Sequence, residues 1–188
     1  PARIIGKMNA LLDKSIIQAL YHASQAGVEI DLIVRGMCAL RPGLRGISDR
    51  IRVRSIVGRL LEHSRIYSFA NAGDEELYLG SADWMPRNLY ERVEVVFPVF
   101  DPLLRQRVRQ EILEAYLADT AKARILQPTG EYIRAGTRVD GRRRTPPIPF
   151  NAQEFLIGLA EGKQSLTAIP PASVRPLRAR YPQRIEQA

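Results

Sequence analysis

The sequence predicts an α/β fold in which a mixed sheet is flanked by helices. DKSIIQALYHASQAG carries a helical repeat of apolar residues and ends at Gly27, a residue type that commonly stops a helix. The apolar segment VEIDLIVRG follows almost at once and predicts a buried strand, and a helix joined so directly to a strand is typical of an α/β layer. RIYSF and ELYLGS, separated by ANAGDE, predict a β-hairpin.

The remaining segments are predicted in chain order. Residues 37–50 form a loop, and IRVRSIVGRLLEH is ambiguous because it begins like a strand and continues with helical spacing. RVEVVFPVF predicts a strand closed by Pro98. The segment from residue 101 to residue 126 predicts one long amphipathic helix, with Asp101 as its N-cap and Pro102 at its first position.

A chain of 188 residues suits one domain with a substantial core. We predict this domain over residues 1–150, and a short helix with a Pro-rich basic tail over residues 151–188. The sequence contains neither a run of about 20 apolar residues nor a signal peptide, so no transmembrane segment is predicted. Because the chain begins with Pro1, we expect it to be a piece of a longer protein. The single cysteine, Cys38, fits a cytoplasmic location, with membrane association left open.

The charge points to a polyanionic partner. The net charge is +8, and 24 of the 28 cations are arginines, whose planar guanidinium matches phosphate oxygens two at a time. Eight arginines lie between Arg35 and Arg65, and a second cluster runs from Arg134 to Arg144. Nucleotides, polyphosphate, nucleic acids and lipid headgroups are all candidates. The alternative is a basic surface that serves only solubility.

The predicted hairpin gathers several reactive groups. A turn centred at residues 72 and 73 puts Tyr67 opposite Tyr78 and His63 opposite Ala82, so His63 lies at the open end of the ladder. The four groups gathered there are an imidazole, a guanidinium, a hydroxyl and a carboxylate, from His63, Arg65, Ser81 and Asp83. We therefore expect one polar cluster at this end of the hairpin.

This cluster has the chemistry to handle a phosphoryl group. Histidine can act as nucleophile, acid or base near neutral pH, and a neighbouring arginine stabilises phosphoryl charge. Asp83 could then fix the tautomer of the imidazole. The alternative is that His63 merely caps a strand end and that Ser81 and Asp83 are turn residues. Arg35, at the carboxyl end of a buried strand, is a further candidate ligand contact, whereas the spacing leaves Arg92 undecided.

Several common nucleotide and metal motifs are absent from the sequence. It contains no phosphate-binding Gly-x-x-x-x-Gly-Lys loop and no Gly-x-Gly-x-x-Gly fingerprint. Nor does it contain a Cys/His cluster that would hold zinc, so no metal ligand is predicted within the chain.

Four segments resemble the C-terminal domain of the bacterial polyphosphate kinases, the ATP:polyphosphate phosphotransferases. They are GKMNALLD, VEIDLIVRGMCALRPG, IRVRSIVGRLLEHSRIYSF and GSADWMPRNLYERVEV, and the resemblance extends from about residue 7 to about residue 150. It implies the phospholipase D-like fold. His63-x-Arg65 with Gly80-Ser81-x-Asp83 looks like a modified form of that superfamily's His-x-Lys and Gly-Ser-x-Asn signature.

The resemblance also implies roles for individual residues. Arg35 and His63 match positions that contact the ATP phosphates in the family, and Arg92 matches a further pocket position. His63 would assist the transferring phosphoryl group by acid catalysis or electrostatically. The family's phosphorylated histidine, its magnesium-linked arginines and its adenine-stacking tyrosine belong to an upstream sister domain, and nothing here matches them.

The resemblance further implies the cofactor and partners. Mg²⁺ would enter with ATP, its ligands lying outside this chain, and full turnover by the chain alone is not expected. The implied partners are ATP or ADP, inorganic polyphosphate, the rest of the kinase chain and further copies in a homo-oligomer. Nucleic acid is not expected.

Two alternatives stay open at this point. One is half of a phospholipase D-like phosphodiesterase or nuclease site, with His63 as nucleophile after dimerisation, although Arg65 replaces the usual Lys and Asp83 the usual Asn. The other is a non-catalytic module for polyanions or nucleic acid, whose binding would survive the loss of His63.

Overall fold

The computed structural model describes residues 2–135 and 149–172. Within these residues, eight strands form one mixed sheet. The strands are β1 (Arg3–Met8), β2 (Glu29–Val34), β3 (Ile51–Ile56), β4 (Arg65–Phe69), β5 (Glu76–Gly80), β6 (Val96–Pro98), β7 (Ala123–Leu126) and β8 (Tyr132–Arg134). Their order across the sheet is β6-β5-β4-β1-β2-β3-β7-β8.

The sheet combines parallel and antiparallel pairs. β2 pairs in parallel with both β1 and β3, whereas β4 runs antiparallel to β1 and to β5. β7 runs antiparallel to β3 and to β8. Helices cover the sheet, and two clusters of buried side chains pack against it, one centred on Tyr116 and the other on Leu11 and Trp84. The predicted α/β class, with a mixed sheet flanked by helices, is confirmed.

Four α-helices occur in the described residues: α1 (Lys14–Gln25), α2 (Pro102–Arg107), α3 (Glu114–Ala118) and α4 (Ala152–Ala160). The π-helical segment Val108–Leu113 joins α2 to α3. As predicted, Asp101 caps α2, because its side chain accepts hydrogen bonds from two backbone amides at the start of the helix. The first predicted helix and the short helix after residue 150 are also confirmed, as α1 and α4.

The prediction of a single helix up to residue 126 is wrong. The helix ends at Asp119, whose ψ of 124° leaves the helical region. The Asp119 carboxylate, 1% exposed, accepts hydrogen bonds from the amides of Lys122 (2.7 Å), Ala123 (2.9 Å) and Ala152 (2.8 Å). This carboxylate fixes a tight turn, and the segment after it becomes β7.

Two other segments differ from their predicted structure. The ambiguous segment after residue 50 is strand only in β3, and residues 57–64 form a loop without regular structure. The strand predicted in RVEVVFPVF is shorter than expected, because β6 covers only Val96–Pro98. All three residues of β6 are exposed. Pro98 fits there because β6 is an edge strand and needs no further hydrogen-bond partner on its outer side.

The chemistry-bearing residues lie along one edge of the sheet. β1, β2 and β3 end at this edge with Met8, Val34 and Ile56. Because β4 is antiparallel to β1 and to β5, the same edge carries Arg65 at the start of β4 and Gly80 at the end of β5. We call this edge, defined by these five residues, the carboxyl edge.

The segments after residue 150 differ in how much of them the structure describes. α4 packs on the core of the sheet, with Ala152 fully buried and Phe155 5% exposed. The predicted tail beyond residue 172 lies outside the described residues, as does the Arg134–Arg144 cluster except for its first member. None of the described helices has the length and apolar character needed to cross a membrane.

Candidate functional site

At the carboxyl edge, Arg65 and Asp83 form a bidentate ion pair. Nε of Arg65 donates to Oδ1 of Asp83 at 3.1 Å, and Nη2 donates to Oδ2 at 2.9 Å. The side chains are 10% and 7% exposed, so solvent weakens the pair little. The backbone amide of Asn9, just after β1, also donates to Oδ1 at 2.6 Å. Asp83 therefore connects β1, β4 and the segment after β5.

The Asp83 carboxylate is ionised in this setting. Burial alone would raise the pKa of Asp83, but the hydrogen bonds from Arg65 and from the Asn9 backbone outweigh burial and hold that pKa below its usual range. The site thus contains a fixed negative charge whose role is to hold a guanidinium.

Arg65 in turn orients His63. Its Nη1 lies 2.9 Å from Nδ1 of His63 and also donates to the His63 carbonyl oxygen at 2.9 Å. A guanidinium can only donate, so Nδ1 accepts and the ring proton of the neutral imidazole is on Nε2. The His63 side chain is exposed, and Nε2 is the ring nitrogen left to meet a ligand.

The predicted hairpin register is confirmed. Tyr67 pairs with Tyr78, and the ladder stops at Arg65 opposite Gly80, so His63 lies two residues beyond it. The sequence suggested that Asp83 could fix the tautomer of the imidazole. Both oxygens of Asp83 bind Arg65, so Asp83 can act on His63 only through that guanidinium.

Ser81 and Arg92 belong to a neighbouring group centred on Glu94. The Ser81 hydroxyl donates to the Glu94 carboxylate and accepts from the backbone amide of Val95 at 3.0 Å. Arg92 lies 4.0 Å from Glu94 and is half exposed. Hydrogen bonds from Ser81 and Asn88 hold the pKa of Glu94 below its usual range. The structure shows no direct contact of Ser81 or Arg92 with His63.

Arg35 lies at the end of β2, where its backbone is held on both sides. Its amide donates to the Met8 carbonyl at 3.2 Å, and its carbonyl accepts from the Ser55 hydroxyl at 2.8 Å. Nη1 of Arg35 is buried and has no hydrogen-bond partner among the described residues. A buried donor without a partner is costly, so this atom is suited to an anionic ligand.

Sequence reasoning missed Lys7, which is 3% exposed near the end of β1. Its Nζ donates to the Ser64 hydroxyl at 2.8 Å, lies 3.5 Å from a Glu62 carboxylate oxygen and sits over the Tyr116 ring. Burial lowers the pKa of Lys7, the Glu62 charge opposes this effect, and the charges of Arg35 and Arg65 reinforce it. Because β1 lies between β4 and β2 in the sheet, Lys7 lies between the strand that begins with Arg65 and the strand that leads to Arg35. Its only signal in the sequence was its place in GKMNALLD.

A side chain of α4 holds the loop that carries His63. The Gln153 amide, 3% exposed, accepts from the Leu60 amide and donates to the Leu60 carbonyl, both at 2.9 Å. It also donates to Glu62 at 2.9 Å. A Cβ at Gly58 would clash with the Gln153 side-chain oxygen, so glycine at this position allows the close approach. The loop is thus fixed at two points shortly before His63.

A basic pocket of about 630 Å³ opens beside Arg35. Its lining consists of four cations (Arg35, Lys122, Arg124 and Arg134) together with Gly36, Ser55, Val57, Ala121 and Tyr132. No acidic residue is among the described residues that line it. Arg35, which lines the pocket, and the His63 cluster lie at the same carboxyl edge.

The described residues do not fit a metal ion. No group of three or more His, Cys, Asp or Glu side chains within the described ranges is close enough to hold one. The carboxylates of the site are already engaged: Asp83 with Arg65, Glu62 with Lys7, and Glu94 with Ser81. Among the described residues, this edge of the sheet therefore offers cationic side chains rather than free carboxylates.

Residues 1–145 match the family model described as polyphosphate kinase C-terminal domain 2. The chain belongs to the polyphosphate kinase family. It is 62% identical over 134 residues to the polyphosphate kinase of Pseudomonas aeruginosa, covering 71% of this chain and 19% of that protein. It is 61% identical over 153 residues to the polyphosphate kinase of Thermosynechococcus vestitus, covering 81% of this chain and 19% of that protein.

A solved structure agrees with this assignment. The crystal structure of polyphosphate kinase from Porphyromonas gingivalis matches with a TM-score of 0.75 and 43% identity, covering 86% of this chain and 24% of that chain. The fold expected from the family resemblance is therefore confirmed. The chain spans only about a fifth of the length of the polyphosphate kinases it matches.

Proposed function

We propose that this chain is the C-terminal catalytic and nucleotide-binding part of a polyphosphate kinase, an enzyme that reversibly transfers the terminal phosphate of ATP to polyphosphate. The phosphohistidine intermediate would form on a sister domain outside this chain. The observation that carries the proposal is the Asp83–Arg65–His63 series, which orients an exposed imidazole at the carboxyl edge that also carries the unpartnered guanidinium nitrogen of Arg35.

Each residue of the series has a distinct role in this proposal. The Nε2–H of His63 donates to an oxygen of the transferring phosphoryl group, and Arg35 binds a phosphate with its Nη1. The charge of Lys7 adds to the positive potential between them, which favours a polyphosphorylated ligand in a partly buried site. Arg92, close to the Glu94 group, is proposed as a further phosphate contact at the exposed side.

The phosphodiesterase alternative is disfavoured by the tautomer of His63. A nucleophilic histidine needs a free lone pair on the nitrogen that attacks, with its other nitrogen donating to a carboxylate. Here Nδ1 faces the guanidinium of Arg65, a donor, and so Nε2 carries the proton. This arrangement supports proton donation and electrostatic stabilisation rather than nucleophilic attack.

The cofactor, partners and location are part of the same proposal. Mg²⁺ would enter bound to ATP, with any protein ligands supplied by the rest of the enzyme. We propose ATP or ADP and inorganic polyphosphate as substrates, the remainder of the kinase chain as a covalent neighbour, and assembly as a homo-oligomer. A cytoplasmic location fits the single thiol of Cys38.

Titration calorimetry with ATP and Mg²⁺, with and without saturating polyphosphate, tests the proposal. Arg35→Ala and His63→Ala are each expected to weaken ATP binding by about tenfold or more, because each removes a phosphate contact. Arg45→Ala and His22→Ala are matched controls, since both side chains are exposed and lie outside the site.

The outcomes separate the three candidate functions. Loss of ATP binding in both site variants, with competition by polyphosphate, would support the kinase role. Equal binding of ATP, polyphosphate and DNA, unaffected by either variant, would leave only a basic surface. Slow cleavage of a model phosphodiester that depends on His63 would favour the phosphodiesterase instead.

A further inference from the structure

We propose that Glu62 is a positioning residue for His63, which it directly precedes in the chain. The inference rests on the proposed function in one respect, namely that the imidazole of His63 meets the phosphates of ATP. It deepens that function by naming the residue that holds the imidazole in place. Glu62 acts through the backbone that it shares with His63, and not by contact with the ligand.

The loop that carries His63 has no regular structure to hold it. Among the described residues, no backbone–backbone hydrogen bond involves residues 57–64. The hydrogen bonds to the backbone of this loop come from the side chains of Gln153, Lys7 and Arg65. Side chains must therefore supply the order that an exposed imidazole needs if it is to meet a ligand in one geometry.

Glu62 connects this loop to three elements of the core. Its Oε1 accepts a hydrogen bond from Nε2 of Gln153 on α4 at 2.9 Å, and its Oε2 lies 3.5 Å from Nζ of Lys7 on β1. Burial raises the pKa of the Tyr116 phenol on α3, and its interaction with the Glu62 carboxylate adds to the rise. All three partners are at most 3% exposed, so the carboxylate is attached to a rigid part of the fold.

Lys7 extends this hold to the other side of His63. The ammonium that faces Glu62 also donates to the Ser64 hydroxyl at 2.8 Å and lies 3.4 Å from the Ser64 carbonyl oxygen. One cation therefore binds the residue before His63 and the residue after it. Consecutive Cα atoms are about 3.8 Å apart, so fixing both neighbours leaves the imidazole little freedom beyond its own side-chain rotation. The contact of Arg65 with Nδ1 then selects the rotamer.

The charge of Glu62 makes this role testable by the direction of an effect. A carboxylate close to a phosphate site repels an anion, so direct electrostatics predicts that its removal strengthens ATP binding. A positioning role predicts the opposite, because the imidazole loses its fixed place when the carboxylate is removed. The sign of the change in ATP affinity therefore distinguishes the two effects of Glu62.

The first test is a double-mutant cycle of Glu62→Ala and His63→Ala, in which ATP with Mg²⁺ is titrated by calorimetry. Ser64→Ala, at an exposed residue, removes the other contact of Lys7 at a smaller cost to the fold. Glu161→Ala, at an exposed carboxylate after α4, is the charge-matched control. Thermal unfolding of each variant defines the temperatures at which the protein is folded.

The second test observes the imidazole directly by ¹⁵N NMR. The sequence has two histidines, and the exposed His22 on α1 is the internal reference. A fixed tautomer keeps the two ring nitrogens of a neutral imidazole distinct, whereas exchange between tautomers averages their shifts. We expect this separation to be larger for His63 than for His22, and to fall towards the His22 value in Glu62→Ala. A role of Glu62 in stability alone would leave this spectrum of the folded protein unchanged.

We expect Glu62→Ala to weaken ATP binding by about three- to tenfold, and to cause no further loss when His63 is already alanine. Ser64→Ala should weaken ATP binding by a smaller factor, and Glu161→Ala should not weaken it.

Three results would overturn the inference. The first is unchanged or tighter ATP binding by Glu62→Ala when the wild-type chain binds ATP. The second is a loss of equal size in the His63→Ala background, which would mean that Glu62 acts through the charge of Lys7. The third is an unchanged His63 spectrum in Glu62→Ala. Failure of the proposed function looks different: if the wild-type chain does not bind ATP but Glu62→Ala still changes the His63 spectrum, the hold of Glu62 on His63 stands while the nucleotide role falls.

Discussion

Both carboxylate oxygens of Asp83 accept hydrogen bonds from Arg65, one from Nη2 at 2.9 Å and one from Nε at 3.1 Å. Only Nη1 of the guanidinium is therefore left for His63. The geometry of the imidazole is thus set by a residue that does not touch it. Asp83 is a positioning residue, and its effects on stability and on ligand binding can be separated by measurement.

Asp83→Asn is expected to lower the free energy of unfolding by about 3 kcal/mol. The change leaves the Arg65 guanidinium, which is largely buried, without its counter-charge. Urea unfolding at neutral pH measures the loss. Asp74→Asn, at an exposed carboxylate in the hairpin turn, is the control and should change stability by less than about 0.5 kcal/mol. A loss of similar size in both variants would show that the ion pair contributes little.

The same ion pair predicts a pH dependence. The pKa of Asp83 is lower in the folded protein than in the unfolded chain. Its stabilising contribution is therefore complete above the unfolded-state value of about 3.9 and is lost as the pH falls through the lower folded-state pKa. The difference in unfolding free energy between wild type and Asp83→Asn should shrink from pH 7 towards strongly acidic pH. A difference that stays constant would contradict the shift.

Lys7→Met tests the contribution of the buried cation to stability and to ligand binding. The change relieves the desolvation of the ammonium but leaves Glu62 without its counter-charge, so we expect a loss of about 1 to 3 kcal/mol. ATP affinity should fall by about tenfold, because one positive charge of the site is gone. Chemical denaturation and calorimetry measure the two effects. The control is Lys163→Met, at an exposed lysine, which should change neither stability nor ATP affinity. An unchanged ATP affinity in Lys7→Met would show that Lys7 is not part of the site.

Gln153→Ala tests the anchor of the His63 loop. The change removes hydrogen bonds to both backbone groups of Leu60 and to Glu62, and we expect a loss of about 2 kcal/mol together with weaker ATP binding. Hydrogen exchange of the amides in residues 57–64 should accelerate. Glu154→Ala, at the neighbouring exposed position of α4, should leave that exchange as it is. Unchanged exchange in Gln153→Ala would show that the loop is held by other contacts.

Much of the fold follows from local patterns in the sequence. The helix α1, the buried strand β2 and the hairpin of β4 and β5 each have a clear apolar period, and the structure confirms them. β1 was missed because its six residues include Gly6 and Lys7 and have no clean alternation. Gly6 is there for packing, since a Cβ would come within 2.9 Å of the Met8 side chain. The helix that begins at Pro102 ends at Asp119 because the buried Asp119 carboxylate fixes a turn there. The spacing of apolar residues in the sequence gives no sign of this turn.

The site was only partly visible in the sequence. The register placed His63 near Asp83, but it could not show that Arg65 stands between them. Lys7 and Asn9 lie more than fifty residues before the hairpin and reach it only because β1 pairs with β4. Such contacts depend on the order of strands in the sheet. The partner of Ser81, Glu94, could not be identified for a similar reason, since it comes from the following segment.

The place of β1 in the middle of the sheet also bears on the order of events during folding. The β4–β5 hairpin joins residues that are close in the chain, so it can form early and at small entropic cost. Its pairing with β1 closes a loop of some sixty residues and is expected to come later. Until β1 arrives, Asp83 lacks the Asn9 amide and Lys7 is absent from its position between the arginines. We therefore expect the carboxyl edge to be completed late, after the hairpin next to His63 has formed.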